Sequence, residues 1–212
     1  MNSDIGPTQA TGQPVVNPLP VSWTNLPTAP ATLPDWANFG RLTARQIQNL
    51  LFQIGYSLSQ WDSQLIGINN ALGRYQIQPM TLEYYGLLLS GSVETYGNTS
   101  VYYRRCWTPA YIRSDTNSYA NYLYNSQSLW DFLDNTPAQD HLAYQILYDS
   151  YVTLSRINGI TDSDTADTVA GMLSVAWQLG SDGASAWRQT GQGAGADQAF
   201  NAGRYVIAVL SS

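Results

Sequence analysis

Residues 55–81 read GYSLSQWDSQLIGINNALGRYQIQPMT and connect one predicted helix to the next. Before this stretch, apolar residues recur at helical spacing, which predicts a helix over residues 43–61. These apolar residues are Ile47, Leu50, Leu51, Ile54 and Leu58. After it, Gly73 permits a tight loop, and Pro79 suits the first turn of a helix over residues 79–89, where its missing N–H costs nothing. The stretch therefore predicts a helix, a tight loop and a second helix.

Two motifs in this stretch are informative, LSQW at residues 58–61 and GRYQIQPMT at residues 73–81. Their spacing resembles that of the goose-type lysozyme and lytic transglycosylase superfamily. In that family a helix ends in Glu-Ser-x-aromatic and is followed by Gly-Leu-Met-Gln-(Ile/Val)-x-Pro-x-Thr. The second motif keeps the family residue at Gly73, Gln76, Ile77, Pro79 and Thr81. The resemblance extends over roughly residues 40–180 and implies a mainly α, lysozyme-like fold.

The first motif lacks the residue on which the family's chemistry depends. The resemblance places Leu58 where the family has a glutamate, which protonates the glycosidic oxygen during cleavage. A leucine cannot transfer a proton. Because such an acid needs a mostly apolar pocket to raise its pKa, a leucine fits that pocket at little cost to folding. Leu58 is equally well explained as an ordinary core residue of its helix, and the two interpretations are compatible.

The family's third motif, Ala-Tyr-Asn-x-Gly, has two candidates in this chain. Residues 199–203 (AFNAG) match more literally, whereas residues 176–180 (AWQLG) end a predicted helix over residues 164–179. We favour residues 176–180, because Gly180 has the position of a glycine that ends a helix. The resemblance then implies a former glycan cleft, for which the candidate residues are Tyr75, Gln76, Trp177 and Gln178.

Few other carboxylates are placed to replace the missing acid. The chain has two glutamates, Glu83 and Glu94. Glu83 is the fallback candidate because it lies one turn into the helix after the second motif, although a charge in the first turns of a helix has a simpler explanation. Asp62 is close to Leu58 in sequence but falls past the helix end. We therefore predict no catalytic residue in this chain.

The composition excludes several classes of function. The chain has 212 residues, 44% of them hydrophobic, which is enough for one domain with a sizeable core, and it has no apolar run of membrane-spanning length. All nine basic residues are arginines and the net charge is −6, which argues against nucleic-acid binding. The first residues lack the pattern of a secretory signal peptide. With 11% charged residues, much of the surface is expected to contact neighbouring subunits.

No metal or cofactor is predicted. The single cysteine, Cys106, excludes an internal disulfide framework. The single histidine, His141, has no partner ligand motif for zinc. The aspartates at 162, 164 and 167 lack the glycine and the terminal glutamate of an EF-hand loop, and helix capping explains them better.

The N-terminal segment, residues 1–36, differs from the rest of the chain. Residues 1–34 hold seven of the ten prolines, so we predict an extended, proline-rich docking arm. Its apolar residues indicate docking on its own domain or on another subunit. The residues expected to make those contacts are Val15, Val16, Leu19, Trp23 and Leu26.

Residues 37–212 are predicted to form the lysozyme-like helical domain. Further helices are expected at 126–134, 137–157 and 198–210. A tyrosine-rich stretch near residues 96–124 predicts an irregular insertion. The glycine-rich residues 180–195 are predicted to form a flexible loop anchored by Trp187.

These features favour a structural virion protein of a bacteriophage tail or baseplate, built on a catalytically inactive lysozyme-like domain. The resemblance implies this setting, because phages carry wall-degrading domains on their tails. The expected partners are other tail or baseplate subunits, with peptidoglycan contact left open and no membrane insertion. Two alternatives remain: an active tail lysozyme or transglycosylase with a non-standard acid, and a glycan-binding module.

Overall fold

The computed structural model describes residues 38–68, 71–85, 87, 95–96, 99–100 and 132–210, and this part of the chain is mainly helical, as predicted. The helices and strands are α1 (Ala44–Ser59), α2 (Pro79–Tyr84), β1 (Thr95–Tyr96), β2 (Thr99–Ser100), α3 (Thr136–Arg156), α4 (Ala166–Thr190) and α5 (Ala196–Leu210). β1 and β2 pair antiparallel as a two-residue ladder. The arm residues Val15, Val16, Leu19, Trp23 and Leu26, and nearly all of the tyrosine-rich insertion, lie outside the described residues.

Helix α1 has well-defined ends. It begins with a capping box, in which the Thr43 hydroxyl accepts from the Gln46 backbone N–H and the Gln46 side chain accepts from the Thr43 N–H. It ends at Gln60 and Trp61, whose φ angles of 55° and 72° are left-handed and reverse the chain. The Trp61 ring thereby returns to the helix, 4.8 Å from the ring of Phe52.

The loop between α1 and α2 is tightly organised. Leu72 forms isolated β-bridges with both Ile66 and Ile77. Gly73 has a φ of 68°, which a glycine adopts without strain. Pro79 then occupies the first turn of α2, as predicted. Helix α2 is shorter than the predicted 79–89, because the backbone leaves the helical conformation after Tyr84.

Helix α3 has chemical signals at both of its ends. The Asn135 side chain accepts from the Ala138 N–H, and Pro137 lies in the first turn. The end is marked by Asn158, with a left-handed φ of 57°, and by Gly159, whose N–H donates to the Leu154 carbonyl at 2.8 Å.

Helix α4 corrects the prediction of a flexible loop over residues 180–195. Gly180 does interrupt the helix, with φ 75° and ψ 167°, so the predicted end of the first segment is confirmed. The chain then resumes helical structure as far as Thr190. Ala184 and Ser185 are buried, and this buried face stabilises a segment whose glycine content had suggested a loop.

Helices α4 and α5 pack closely because glycines remove side chains from their contact. A Cβ added at Gly203 of α5 would lie 2.5 Å from the Ala170 carbonyl oxygen, and one at Gly171 would lie 2.5 Å from the Phe200 ring. Buried residues of α1, α3, α4 and α5 and of the loop before α2 belong to a common hydrophobic core. The loop that carries the second motif is therefore part of the core.

Candidate functional site

The two motifs that carry the family resemblance lie side by side. Ser59, in the last turn of α1, shares its single hydroxyl hydrogen between two acceptors, the Arg74 carbonyl at 2.7 Å and the Gly55 carbonyl at 3.0 Å. Leu58, immediately before Ser59, is half-buried and packs against the core. The end of α1 is thus fixed to the second motif, and Leu58 presents an apolar side chain to the core beside that contact.

An aromatic chain connects α1 to α4 through this site. The Tyr75 ring lies 5.7 Å from the ring of Trp61 and 6.0 Å from the ring of Trp177, between ring centroids. Gly55 makes room for the Trp61 ring, because a Cβ at Gly55 would lie 2.5 Å from that ring. Tyr75 is 0% exposed and Trp177 is 3% exposed. The structure brings these two predicted cleft residues together, but as core residues whose faces are covered.

The buried end of Tyr75 is held by a carboxylate. The Tyr75 hydroxyl donates to Asp140 Oδ1 at 2.8 Å. Burial, followed by the neighbouring Asp140 charge, raises the pKa of Tyr75 well above its ordinary value, so the hydroxyl remains protonated and donates. Tyr75 therefore acts as a hydrogen-bonded core residue.

Asp140 also forms a buried ion pair. Arg74 Nη1 lies 3.3 Å from Asp140 Oδ1, and the two side chains are 15% and 8% exposed. The Arg74 guanidinium lies 4.5 Å from the centre of the Trp61 ring, a cation–π distance. The carboxylate is held from two directions, by Arg74 and by Tyr75. Proton transfer from Asp140 to a ligand would require both contacts to break.

Gln139 fastens the same loop to α3. Its Oε1 accepts from the Arg74 backbone N–H at 3.0 Å, and its Nε2 donates to the Phe132 carbonyl at 2.9 Å. Gln139 is fully buried. Sequence reasoning missed both Gln139 and Asp140. The available signal was a pair of polar residues in the first turns of a helix whose neighbours Leu142 and Ala143 are apolar.

The two predicted glutamines have different surroundings. Gln76 is buried, and its Nε2 donates to the Gly73 carbonyl at 2.9 Å and to the Leu65 carbonyl at 3.3 Å. It therefore stabilises its own loop. Gln178 is half-buried, and among the described residues its buried Oε1 has no hydrogen-bond partner.

The fallback carboxylates lie outside the buried cluster. Glu83 is half-buried on α2, between the exposed residues Met80 and Tyr84. Asp62 follows the end of α1, and its Oδ1 accepts from the Gln64 backbone N–H at 2.8 Å. In the second candidate for the third motif, Gly203 allows the close contact between α4 and α5.

A second ion pair, in which Asp164 is buried and Arg188 is partly exposed, lies away from these motifs. Arg188 donates to both oxygens of Asp164, at 2.6 and 2.8 Å, and also to the Gly159 carbonyl at 2.9 Å. The hydrogen bond from Arg188, helped by those from Thr161, lowers the pKa of Asp164 to about 2 despite its burial. This pair connects the loop before α4 to the second half of α4.

Within the described ranges, no group of three or more His, Cys, Asp or Glu side chains is arranged to hold a metal ion. A search of the same ranges for a helix of the length and apolar character needed to cross a membrane found none.

Comparisons with known protein families, with curated proteins and with solved structures found no match for this chain. The family resemblance therefore rests on the two motifs themselves.

Proposed function

We propose that this protein is a structural, non-catalytic subunit of a bacteriophage tail or baseplate, built on a lysozyme-like domain that has lost its acid. The observation that carries the proposal is the position of Leu58. Leu58 directly precedes Ser59, whose hydroxyl bonds to the Arg74 carbonyl of the second motif, and it packs half-buried against the core. The resemblance predicts a glutamate at this position. A leucine there removes the proton donor on which glycoside cleavage depends.

The surroundings of Leu58 also favour a non-catalytic role. The carboxylate of Asp140, which reaches the second motif, is paired with Arg74 and Tyr75. A carboxylate that already accepts hydrogen bonds from two neighbouring side chains is engaged in the fold, whereas a general acid must contact the glycosidic oxygen. The polar groups of this site therefore serve folding.

The structural role is further supported by exposed aromatic surface and by the proline-rich N-terminal sequence. Tyr84, Tyr148 and Tyr205 are exposed, and tyrosine is enriched at protein interfaces. On this proposal the partners are neighbouring tail subunits and the protein is located in the virion.

The proposal is tested by turbidity clearing of purified peptidoglycan by the full chain, with an active lysozyme as the positive control. We expect no clearing by the parent and none by Glu83→Gln. Clearing by the parent that is lost in Glu83→Gln would replace the proposal by an active enzyme with a non-standard acid. Co-sedimentation with insoluble peptidoglycan, measured in parallel, distinguishes a glycan-binding module from a subunit that contacts only protein.

A further inference from the structure

Phe39, near the start of the described residues, contacts aromatic side chains on α3. The ring centroid of Phe39 lies 5.8 Å from that of Tyr144, 5.7 Å from that of Tyr148 and 5.4 Å from that of Tyr151. The three tyrosines are spaced by four and three residues and so share one side of the helix. Phe39 is buried, whereas Tyr148 remains 40% exposed. Phe39 thus covers only part of this aromatic stripe.

A tight turn fixes Phe39 in this position. The Leu42 N–H donates to the Phe39 carbonyl at 3.1 Å, and Gly40 has a left-handed φ of 57°. A Cβ at Gly40 would lie 2.5 Å from the Tyr151 ring, so the backbone itself packs on that ring. The segment that precedes Phe39 in sequence is therefore connected to the fold at these tyrosines.

Helix α2 contacts a different side of α3. The Tyr85 hydroxyl donates to Asp149 Oδ2 of α3 at 2.8 Å. Asp149 follows Tyr148 by one residue and so lies about 100° around the helix from it. We call Tyr144, Tyr148 and Tyr151 the tyrosine surface.

We propose that the tyrosine surface is the docking site for residues 27–36 of the same chain. This segment reads PTAPATLPDW and contains a Pro-x-x-Pro pattern at Pro27 and Pro30. Such segments dock on aromatic-lined grooves, because the polyproline II conformation is already formed and little entropy is lost on binding. The inference does not depend on the lysozyme resemblance.

Length and connectivity favour the same chain as the occupant over a second copy. Ten residues in polyproline II conformation span about 31 Å. The stretch of α3 from Tyr144 to Tyr151 spans only about 10 Å, so the segment is long enough to cross the tyrosine surface. Because the segment ends three residues before Phe39, its effective concentration at the surface is on the order of millimolar. A second copy of the chain would have to reach a similar concentration to compete for the tyrosine surface.

Limited chymotrypsin digestion of the full chain, with cleavage sites mapped by mass spectrometry, tests this inference. Three bonds are informative: Trp23–Thr24 before the docked segment, Trp36–Ala37 at its end, and Phe39–Gly40 in the turn. We expect Trp36–Ala37 to be cut more slowly than Trp23–Thr24 in the parent. Tyr148→Ala should accelerate the cut at Trp36–Ala37 about tenfold, because cleavage follows the population of the open segment.

Two variants control for unrelated effects. Tyr205 on α5 is 39% exposed, close to Tyr148, so Tyr205→Ala tests the loss of an exposed tyrosine elsewhere and should leave all three rates unchanged. Tyr148→Phe retains the ring and should keep the protection.

Three results would overturn the inference. One is equal cleavage at Trp36–Ala37 in the parent and in Tyr148→Ala. Another is new cleavage at Phe39–Gly40 in Tyr148→Ala, which would show that the turn itself had opened. The third is protection in the parent that falls on dilution, which would assign the surface to a second copy of the chain.

Discussion

At the scale of single residues, the second motif has a structural use that its sequence does not reveal. Tyr75 stands where the family pattern has methionine, and its ring fills the core while its hydroxyl reaches Asp140. Arg74 replaces the leucine of that pattern and supplies the opposite charge. The two departures from the family pattern therefore form one buried cluster with Asp140. Their pairing joins residues 65 and 66 positions apart, so no local sequence signal predicts it.

The buried Arg74–Asp140 pair gives the first prediction. Asp140→Ala leaves the Arg74 charge without its partner and the Tyr75 hydroxyl without its acceptor, and it should lower the free energy of unfolding by about 3–5 kcal/mol. Urea denaturation at neutral pH measures this loss. The exposed Asp162→Ala provides the control, with an expected change within about 0.5 kcal/mol. A similar small change in Asp140→Ala would refute the assigned role.

The Asp164–Arg188 pair predicts a dependence of stability on pH. The pKa of Asp164 falls from its ordinary 3.8 to about 2 on folding, so the unfolded chain binds the proton more tightly than the folded one. The stabilisation is complete above about pH 4 and is lost as the pH falls toward 2.

Asp164→Asn removes this titration. Between pH 5 and pH 2 it should lose about 2 kcal/mol less stability than the parent does, as measured by urea unfolding across that range. If the stability of the parent and that of Asp164→Asn changed with pH in parallel, the assigned ion pair would be contradicted.

At the scale of helices, the sequence predicted those elements whose ends carry chemical signals. Helix α3 was expected at 137–157 and spans 136–156, since Pro137 and Asn158-Gly159 mark its limits. The second half of α4 is helical and not the predicted loop, because the apolar face of Ala184 and Trp187 outweighs the glycine content. Trp187 therefore does not anchor a flexible loop, and its ring packs between the helices, 4.9 Å from that of Phe200.

The contact between α4 and α5 gives a prediction about helix packing. In an isolated helix, Gly203→Ala would stabilise by about 1 kcal/mol. Here the new methyl group would lie 2.4 Å from Ser174 Oγ and 2.5 Å from the Ala170 carbonyl oxygen. We expect overpacking to dominate, with a net loss of about 1–3 kcal/mol in thermal or urea unfolding.

The matched control lies in the same helix. Asn201→Ala is exposed and should be neutral or slightly stabilising, because alanine has the higher helix propensity. Stabilisation by Gly203→Ala would show that the two helices separate at little cost.

At the scale of the whole molecule, the sequence predicts a mainly α fold. It does not predict that the candidate site residues Tyr75 and Trp177 are buried. Helical periodicity identified Leu58 and Trp177 as helix residues, and the second motif placed Tyr75 in a loop. Neither signal distinguishes a cleft wall from a core, because both contain apolar and aromatic residues. Tyr75 and Trp177 lie in the core because the loop after α1 folds between α1 and α4.

We propose that this domain keeps a lysozyme-like frame around a missing acid. Peptidoglycan clearing by the parent, by Leu58→Glu and by the uncharged control Leu58→Gln tests this, with each protein first shown to be folded by circular dichroism. We expect no clearing by the parent or by Leu58→Gln. We expect measurable clearing by Leu58→Glu, whose new carboxyl would lie against the core where burial raises its pKa. Clearing by the parent, or a folded Leu58→Glu that clears no faster than Leu58→Gln, would contradict it.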